Sequence, residues 1–299
     1  MKNAAAHRMR NLLPTLAAFF VVLSPQGLFA TEKPQAVSLD YCADQFLLSL
    51  ADRNQIMALT EDAIEDHSFY RDQAVGLPLF QAHTEQVLRL NPDVVVRYWG
   101  GYKMLPLLDR TSIKVASAAY GTGAELLYKN IRIIAEALDQ QRRAEDMIED
   151  YKTRLKAVEA KTAAFTVAHH GLRAAYITPG GITAGENTFV NDMIKQAGFL
   201  SFAEEAGLKG WQPLPLEALV QNPPDVIIGS FFDMEKLHVS NWSLSRHHRI
   251  RKMIDNIPSI LIPGRYLSCN GIFSVDAIEY IQTATEKFFP PVPSRKDMP

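Results

Sequence analysis

No Pro or Gly interrupts the chain between Gly123 and Gly171. Apolar residues recur there at helical spacing: Ile131, Ile134, Ala135 and Leu138, then Met147, Ile148, Tyr151, Leu155 and Val158. A polar break at 139–142 divides the run, so the pattern predicts two consecutive helices, the second long and heavily charged. A coiled coil would carry similar charge, but its heptads would have to persist further than they do here. The second helix is read as a strut between two lobes. That division constrains the fold more than any other feature of the chain.

Each half alternates short apolar runs with helical segments. In the first, strands are expected at 37–39, 56–59, 94–98 and 113–117, with helices at 43–50, 85–90 and 105–110. In the second, strands are expected at 174–178, 226–229 and 260–263, with helices at 189–197, 217–221, 249–255 and 275–288. Strands that are apolar throughout and separated by helices belong to parallel sheets covered on both faces, which makes each half an α/β unit. One segment also occurs twice. Glu85 stands eight residues before Asp93, and Glu217 eight before Asp225; in both copies a Pro precedes the Asp, an apolar strand follows it, and aromatics come next.

The chain starts with a leader-like stretch at 1–30. Lys2, Arg8 and Arg10 precede an apolar run at 12–23 that is short for a bilayer span, and Leu28-Phe29-Ala30 offers a cleavage site before Thr31. A retained anchor is the plainer reading of the same residues. No Cys lies near the expected cut, so the leader lacks a lipoprotein pattern. With 31 Lys and Arg against 33 Asp and Glu, and the leader holding basic residues only, the remainder is acidic. It has no basic field for nucleic acid or anionic lipid. The tail at 290–299 is expected to be disordered or loosely docked. Cys42 and Cys269 lie far apart in sequence; a disulfide and two free thiols both fit, and neither Cys has a second ligand at metal spacing.

The runs VSLDYCADQ at 37–45, NPDVV at 91–95, TAGENTFVNDMI at 183–194 and PLEAL at 215–219, with the long strut, resemble one family over nearly the whole mature chain. It is that of the periplasmic substrate-binding proteins of siderophore and cobalamin ABC importers. The resemblance implies an α/β fold of two Rossmann-like lobes with parallel sheets joined by a single long helix. The ligand would sit between lobes that close little. It implies a signal peptide at 1–30, an N-terminal lobe at 31–140, a bridging helix at 141–165 and a C-terminal lobe at 166–299. It also implies that Glu85 and Glu217, one per lobe, dock on arginines of an inner-membrane permease. Helix stabilisation is the ordinary reading of both glutamates, with Thr84 as a cap and Pro215 in a first turn.

Ligands of open parallel sheets bind beyond the carboxyl ends of the strands. Those ends are Asp40, Tyr41 and Cys42; Tyr98, Trp99 and Tyr102; Ala119 and Tyr120; then 178–181, Trp211, Phe231, Phe232 and 265–269, which includes Arg265 and Cys269. Flat rigid side chains dominate, and they suit a bulky macrocycle or chelate. Some of these aromatics can equally be core; Trp99 and Trp211 are favoured as ligand residues because Gly100-Gly101 and Gly210 mark loops around them. Arg97 reads as a surface ion-pairing residue, whereas Arg265 can also meet a carboxylate or phosphate. The eight histidines form no metal constellation, and neither a nucleophile elbow nor a dinucleotide fingerprint occurs.

The leading expectation is a non-enzymatic periplasmic carrier, acting as a monomer without a cofactor, that delivers a metal chelate to the permease. Cobalamin or a related corrinoid is the first choice, a ferric siderophore the second and heme the third. The alternative is an exported enzyme on the same two-lobe fold, a tetrapyrrole hydrolase or chelatase, with Asp40 and His170 as the first acid–base pair to inspect. A binding or sensing module with another partner is the third reading.

Overall fold

The computed structural model describes residues 32–178, 180–231 and 256–290. The expected leader, the helix at 249–255, Phe232 and the tail beyond 290 lie outside the described residues.

Among the described residues there are two parallel sheets, one in each half, and a two-stranded ribbon. In the N-terminal lobe, β1 (Ala36–Ser38), β2 (Ile56–Thr60), β3 (Leu79–Phe80), β4 (Val94–Arg97) and β5 (Lys114–Ser117) lie in the order β3-β2-β1-β4-β5, all parallel. The second half contributes β6 (Arg173–Ile177), β7 (Ile182–Ala184), β8 (Leu200–Ser201), β9 (Trp211–Pro213), β10 (Val226–Phe231) and β11 (Ser259–Pro263). Of these, β11-β10-β6-β8 form a parallel sheet, and β7 with β9 an antiparallel ribbon. The helices in chain order are α1 (Tyr41–Leu50), α2 (Arg71–Ala74), α3 (Thr84–Leu90), α4 (Leu105–Leu108), α5 (Ala124–Ala137), α6 (Gln141–Ala168), α7 (Phe189–Gln196), α8 (Phe202–Glu205), α9 (Leu216–Gln221) and α10 (Ser274–Thr285).

The duplicated segment does the same work in each lobe. The Asp93 carboxylate accepts from Gln35 N at 2.8 Å while Asp93 N donates to Gln35 O at 2.9 Å. Asp225 repeats this with Arg173, at 2.8 and 2.9 Å. Each Asp thus clamps the entry of its lobe's first strand to the strand that follows the Asp. The resulting registers correspond: Ala36 faces Val94, and Ala174 faces Val226. A Pro-terminated helix, a side chain that bonds backbone and an apolar run together specify a parallel pair.

Between the sheets, Leu138 caps α5, Asp139 takes a positive φ of 54°, and α6 begins. At 28 residues α6 is roughly 42 Å long. It buries Ala144, Ile148, Tyr151 and Val158, a stripe at helical spacing, and exposes the charged remainder. Two arginines tie it to both lobes. Arg143 donates to Leu50 O and Ala51 O at 2.7 Å and pairs with Asp52; Arg154 pairs with Asp276 and Glu279 on α10, at 2.9 and 2.6 Å. Such part-exposed pairs each contribute less than about 1 kcal/mol. Their main effect is orientation.

Two carboxyl groups are sunk in the N-terminal lobe, Asp40 and Asp44. Asp44 on α1 is fully buried and accepts from Ser38 Oγ on β1 and from Thr60 N and Oγ1 on β2. Burial pushes its carboxyl up from 3.8 to about 7, against the hydrogen bonds, which act to lower it. The folded state therefore holds a proton that the unfolded chain loses first, so this group's contribution to stability falls as pH rises from about 4 to 7 and is level above that. Asp44→Asn is expected to remove that component. Denaturation at a series of pH values should show the wild type losing up to ~1.4 kcal/mol per pH unit relative to the variant in that window.

Candidate functional site

In an open parallel sheet the natural crevice lies where strand order reverses. In the N-terminal lobe that point falls between β1 and β4, and Asp40 stands there. Its side chain caps α1, accepting from Ala43 N at 2.9 Å. Its other oxygen accepts from the backbone N–H groups of Tyr98, Trp99 and Gly100 at 2.8, 3.0 and 2.7 Å. Gly100 fits because a Cβ there would collide with the Leu39 carbonyl. Arg97 holds the same loop from outside, donating to Gly100 O at 2.7 Å and to Trp99 O at 3.3 Å. The loop after β4 is thereby fixed, and Tyr98 and Trp99 project from a rigid base.

The opposing wall comes from the second lobe. Thr178 closes a turn onto Ile182, which leads from β6 into the β7–β9 ribbon, and the ribbon presents Trp211. Trp211 packs edge-on against Tyr176 and Phe189, with ring centroids 6.2 and 6.1 Å away. Its Nε1 donates across the gap to Tyr120 Oη at 3.2 Å. Trp99 and Trp211 remain 55% and 42% exposed, large for indole rings and available for a guest.

The cavity between these walls has a volume of about 580 Å³. Tyr41, Cys42, Tyr98, Trp99 and Tyr120 line one side; Tyr176, Thr178, Gly180, Ile182, Phe189 and Trp211 line the other, and 267–270 the floor. No Asp, Glu, Lys, Arg or His side chain lines it among the described residues. A pocket of about 170 Å³ between α6 and α10 is small for a cofactor-sized guest, so the interlobe cavity is the candidate site. Cys42 and Cys269 form a disulfide in its wall, Cα atoms 5.7 Å apart, joining the two lobes covalently. Asn270 adds a second tie, donating to Gly121 O at 3.2 Å.

Tyr41, Cys42, Tyr98, Trp99, Tyr120, Trp211 and Cys269 are brought together on the cavity, as are Thr178 and Gly180. Asp40 is not: it is 2% exposed and both its oxygens are spent on backbone N–H groups beneath the wall. It forms no pair with His170, which is exposed at the far end of α6. Arg265 lies over the Tyr266 ring, 5.3 Å from its centroid, and does not line the cavity. Of Phe231 only the backbone is described, paired with Pro263 at the end of β10. Tyr102 is exposed outside the cavity.

Glu85 and Glu217 are exposed in the first turns of α3 and α9, and neither forms an ion pair with another described residue. His83, not Thr84, is the cap of α3, and Pro215 that of α9. Sequence reasoning missed Tyr176, Ile182, Phe189 and Asn270. Phe189 follows the capping Thr188, which accepts from Asn191 N and so turns the ring towards the gap. That cap was the available signal.

Burial raises the phenols of Tyr41 and Tyr176. Tyr41 is raised by burial and then by the Asp40 and Asp62 charges; Tyr176 is pushed up to about 12 by burial against a hydrogen bond from Ser230. Both remain neutral donors at physiological pH. Among the described residues no three His, Cys, Asp or Glu side chains are placed to hold a metal ion. The arrangement suits shape-matched, uncharged recognition.

The profile of the periplasmic binding protein family matches residues 37–239. An ABC transporter substrate-binding lipoprotein of Bacillus subtilis (strain 168) is 26% identical over 154 residues, 49% of this chain and 48% of that protein. The chain therefore matches about half the length of that curated relative. Similar solved structures include a periplasmic heme-binding protein of Vibrio cholerae, at 20% identity and TM-score 0.70, covering 84% of this chain and 98% of that one. A vitamin B12-binding protein of the same organism gives 16%, 0.67, 86% and 98%. A structure from an Fe3+-hydroxamate ABC transport system of Saccharomonospora viridis gives 16%, 0.64, 85% and 93%. These likenesses establish the two-lobe fold.

Since Asp40 serves backbone rather than guest, Asp40→Ala is expected to unfold the lobe more readily, by about 3 kcal/mol or more, because it orphans four N–H groups at once. Urea denaturation of the variant measures this. A loss under about 1 kcal/mol would show that water satisfies the amides instead.

Proposed function

Because this chain belongs to the periplasmic binding protein family, we propose that it captures a metal chelate between its lobes, with cobalamin or a related corrinoid first. It then hands the chelate to an ABC permease. The supporting observation is the uncharged aromatic gap bounded by Trp99 and Trp211. A corrinoid fringed with amides brings flat surface and neutral hydrogen-bonding groups, which such walls can satisfy. Heme carries two carboxylates, and no cation meets them among the described lining residues. A ferric hydroxamate is compact and neutral and stands second. The similar structures include binders named for heme, vitamin B12 and Fe3+-hydroxamate, so the fold accommodates all three classes. We take the chain as exported, with 1–30 removed as a leader and the carrier at work in the periplasm as a monomer.

Trp99 and Trp211 border the cavity, so fluorescence reports on occupancy. Titration with cyanocobalamin, hemin and a ferric hydroxamate should give saturable quenching, tightest for cyanocobalamin. Trp99→Ala and Trp211→Ala should each weaken it at least tenfold, as buried aromatic anchors do. No saturation with any of the three sinks the chelate reading.

We further propose that Glu85 and Glu217 dock the permease. One exposed carboxylate at the matching position of each lobe offers a two-point electrostatic contact to a partner of similar symmetry. Glu85→Lys with Glu217→Lys should abolish import in cells while leaving the ligand Kd within twofold. Normal import by the double variant would remove the docking assignment.

A further inference from the structure

We infer that the Tyr98 hydroxyl is a specificity-determining donor that holds an uncharged oxygen acceptor, of the amide-carbonyl kind, on the captured chelate. This rests on the cleft reading above and adds to it the kind of ligand group that the wall selects.

Tyr98 follows β4 at the switch point, and its N–H is held by Asp40 at 2.8 Å. The ring is 7% exposed yet lines the cavity, stacked on Phe46 and edge-on to Tyr120, each centroid 6.4 Å away. The hydroxyl oxygen is buried and has no hydrogen-bond partner among the described residues. Thr183, Asn191 and Gln282 also carry an unpartnered buried atom, but among these four described residues only Tyr98 lines the cavity.

A buried, unpartnered hydroxyl destabilises a fold relative to the phenylalanine that would fill the same space. At this position the empty protein bears that cost and the loaded protein does not. Burial pushes the phenol well above its ordinary value, with smaller contributions from Tyr120, Asp40 and Tyr41, so it stays protonated and can donate.

The acceptor it meets is uncharged for two reasons. No cation lines the cavity among the described residues to balance a carboxylate or phosphate. The Asp40 carboxylate behind the loop repels a second anion. Tyr120 is the side chain that turns to admit the acceptor: it is 57% exposed, and its hydroxyl accepts one hydrogen bond, from Trp211.

The test is Tyr98→Phe, with equilibrium titration by cyanocobalamin, hemin and a ferric hydroxamate alongside thermal unfolding of the ligand-free protein. Expected are a Kd for cyanocobalamin raised about tenfold, equivalent to ~1.4 kcal/mol, and an unfolding temperature equal to or above that of the wild type. A Kd within twofold of wild type overturns the inference, and so does a lowered unfolding temperature, which would reveal a structural partner for the hydroxyl. A tenfold loss for hemin but not for cyanocobalamin overturns the uncharged acceptor. The wild-type arm separates the two levels: if it binds none of the three probes, the cleft reading itself fails and takes this inference with it.

Discussion

A single carboxylate organises the N-terminal half of the site. Asp40 sits where the β1 chain leaves the sheet, caps the helix that begins there, and gathers three consecutive amides from the loop beyond β4. Four directed bonds onto one side chain convert two adjacent strand ends into a fixed platform. Without that anchor, Tyr98 and Trp99 would ride on a free loop, and no wall of defined shape would face the second lobe. The helix entry also orients Tyr41 and Cys42. Positioning of the cleft-facing aromatics is thus an electrostatic matter, although the surface they present carries no charge.

The second lobe reaches a comparable result by other means. Among the described residues its switch point has no counterpart of Asp40; a Thr178-closed turn carries the chain into a short antiparallel ribbon that offers Trp211. The duplicated unit accounts for the similarity of the lobes, because Asp93 and Asp225 set the same register in each. The described segments beyond β1 and β6 differ. Symmetry therefore belongs to the scaffold, and asymmetry to the binding walls.

The strut, the alternation of strands and helices and the repeat were legible in the sequence, because apolar spacing and Pro-Asp turns report local geometry directly. The long helix extends to Ala168, and β10 to Phe231, where side-chain pattern alone marks ends poorly. Three-residue strands such as β7 and β9 lack enough alternation to be seen, so the ribbon behind Trp211 was invisible even though Trp211 itself stood out. Asp40 reads as a ligand residue because strand ends usually face the ligand, whereas in the fold its oxygens turn inward to the amides. The pairing of Cys42 with Cys269 was open for a similar reason, since two residues at opposite ends of the chain meet only after both lobes have formed. Tyr176 was lost inside an apolar strand.

The covalent link between the lobes has a consequence for selectivity. Cys42 opens α1 at one jaw and Cys269 lies in the floor loop of the other, while α6 braces both from behind through Arg143 and Arg154. The jaws are thus fastened at both hinge and throat. On the proposed function such a cleft would work as a calliper, sorting molecules by thickness before any polar group is consulted, and guests too thin to touch both indoles would gain little from entering.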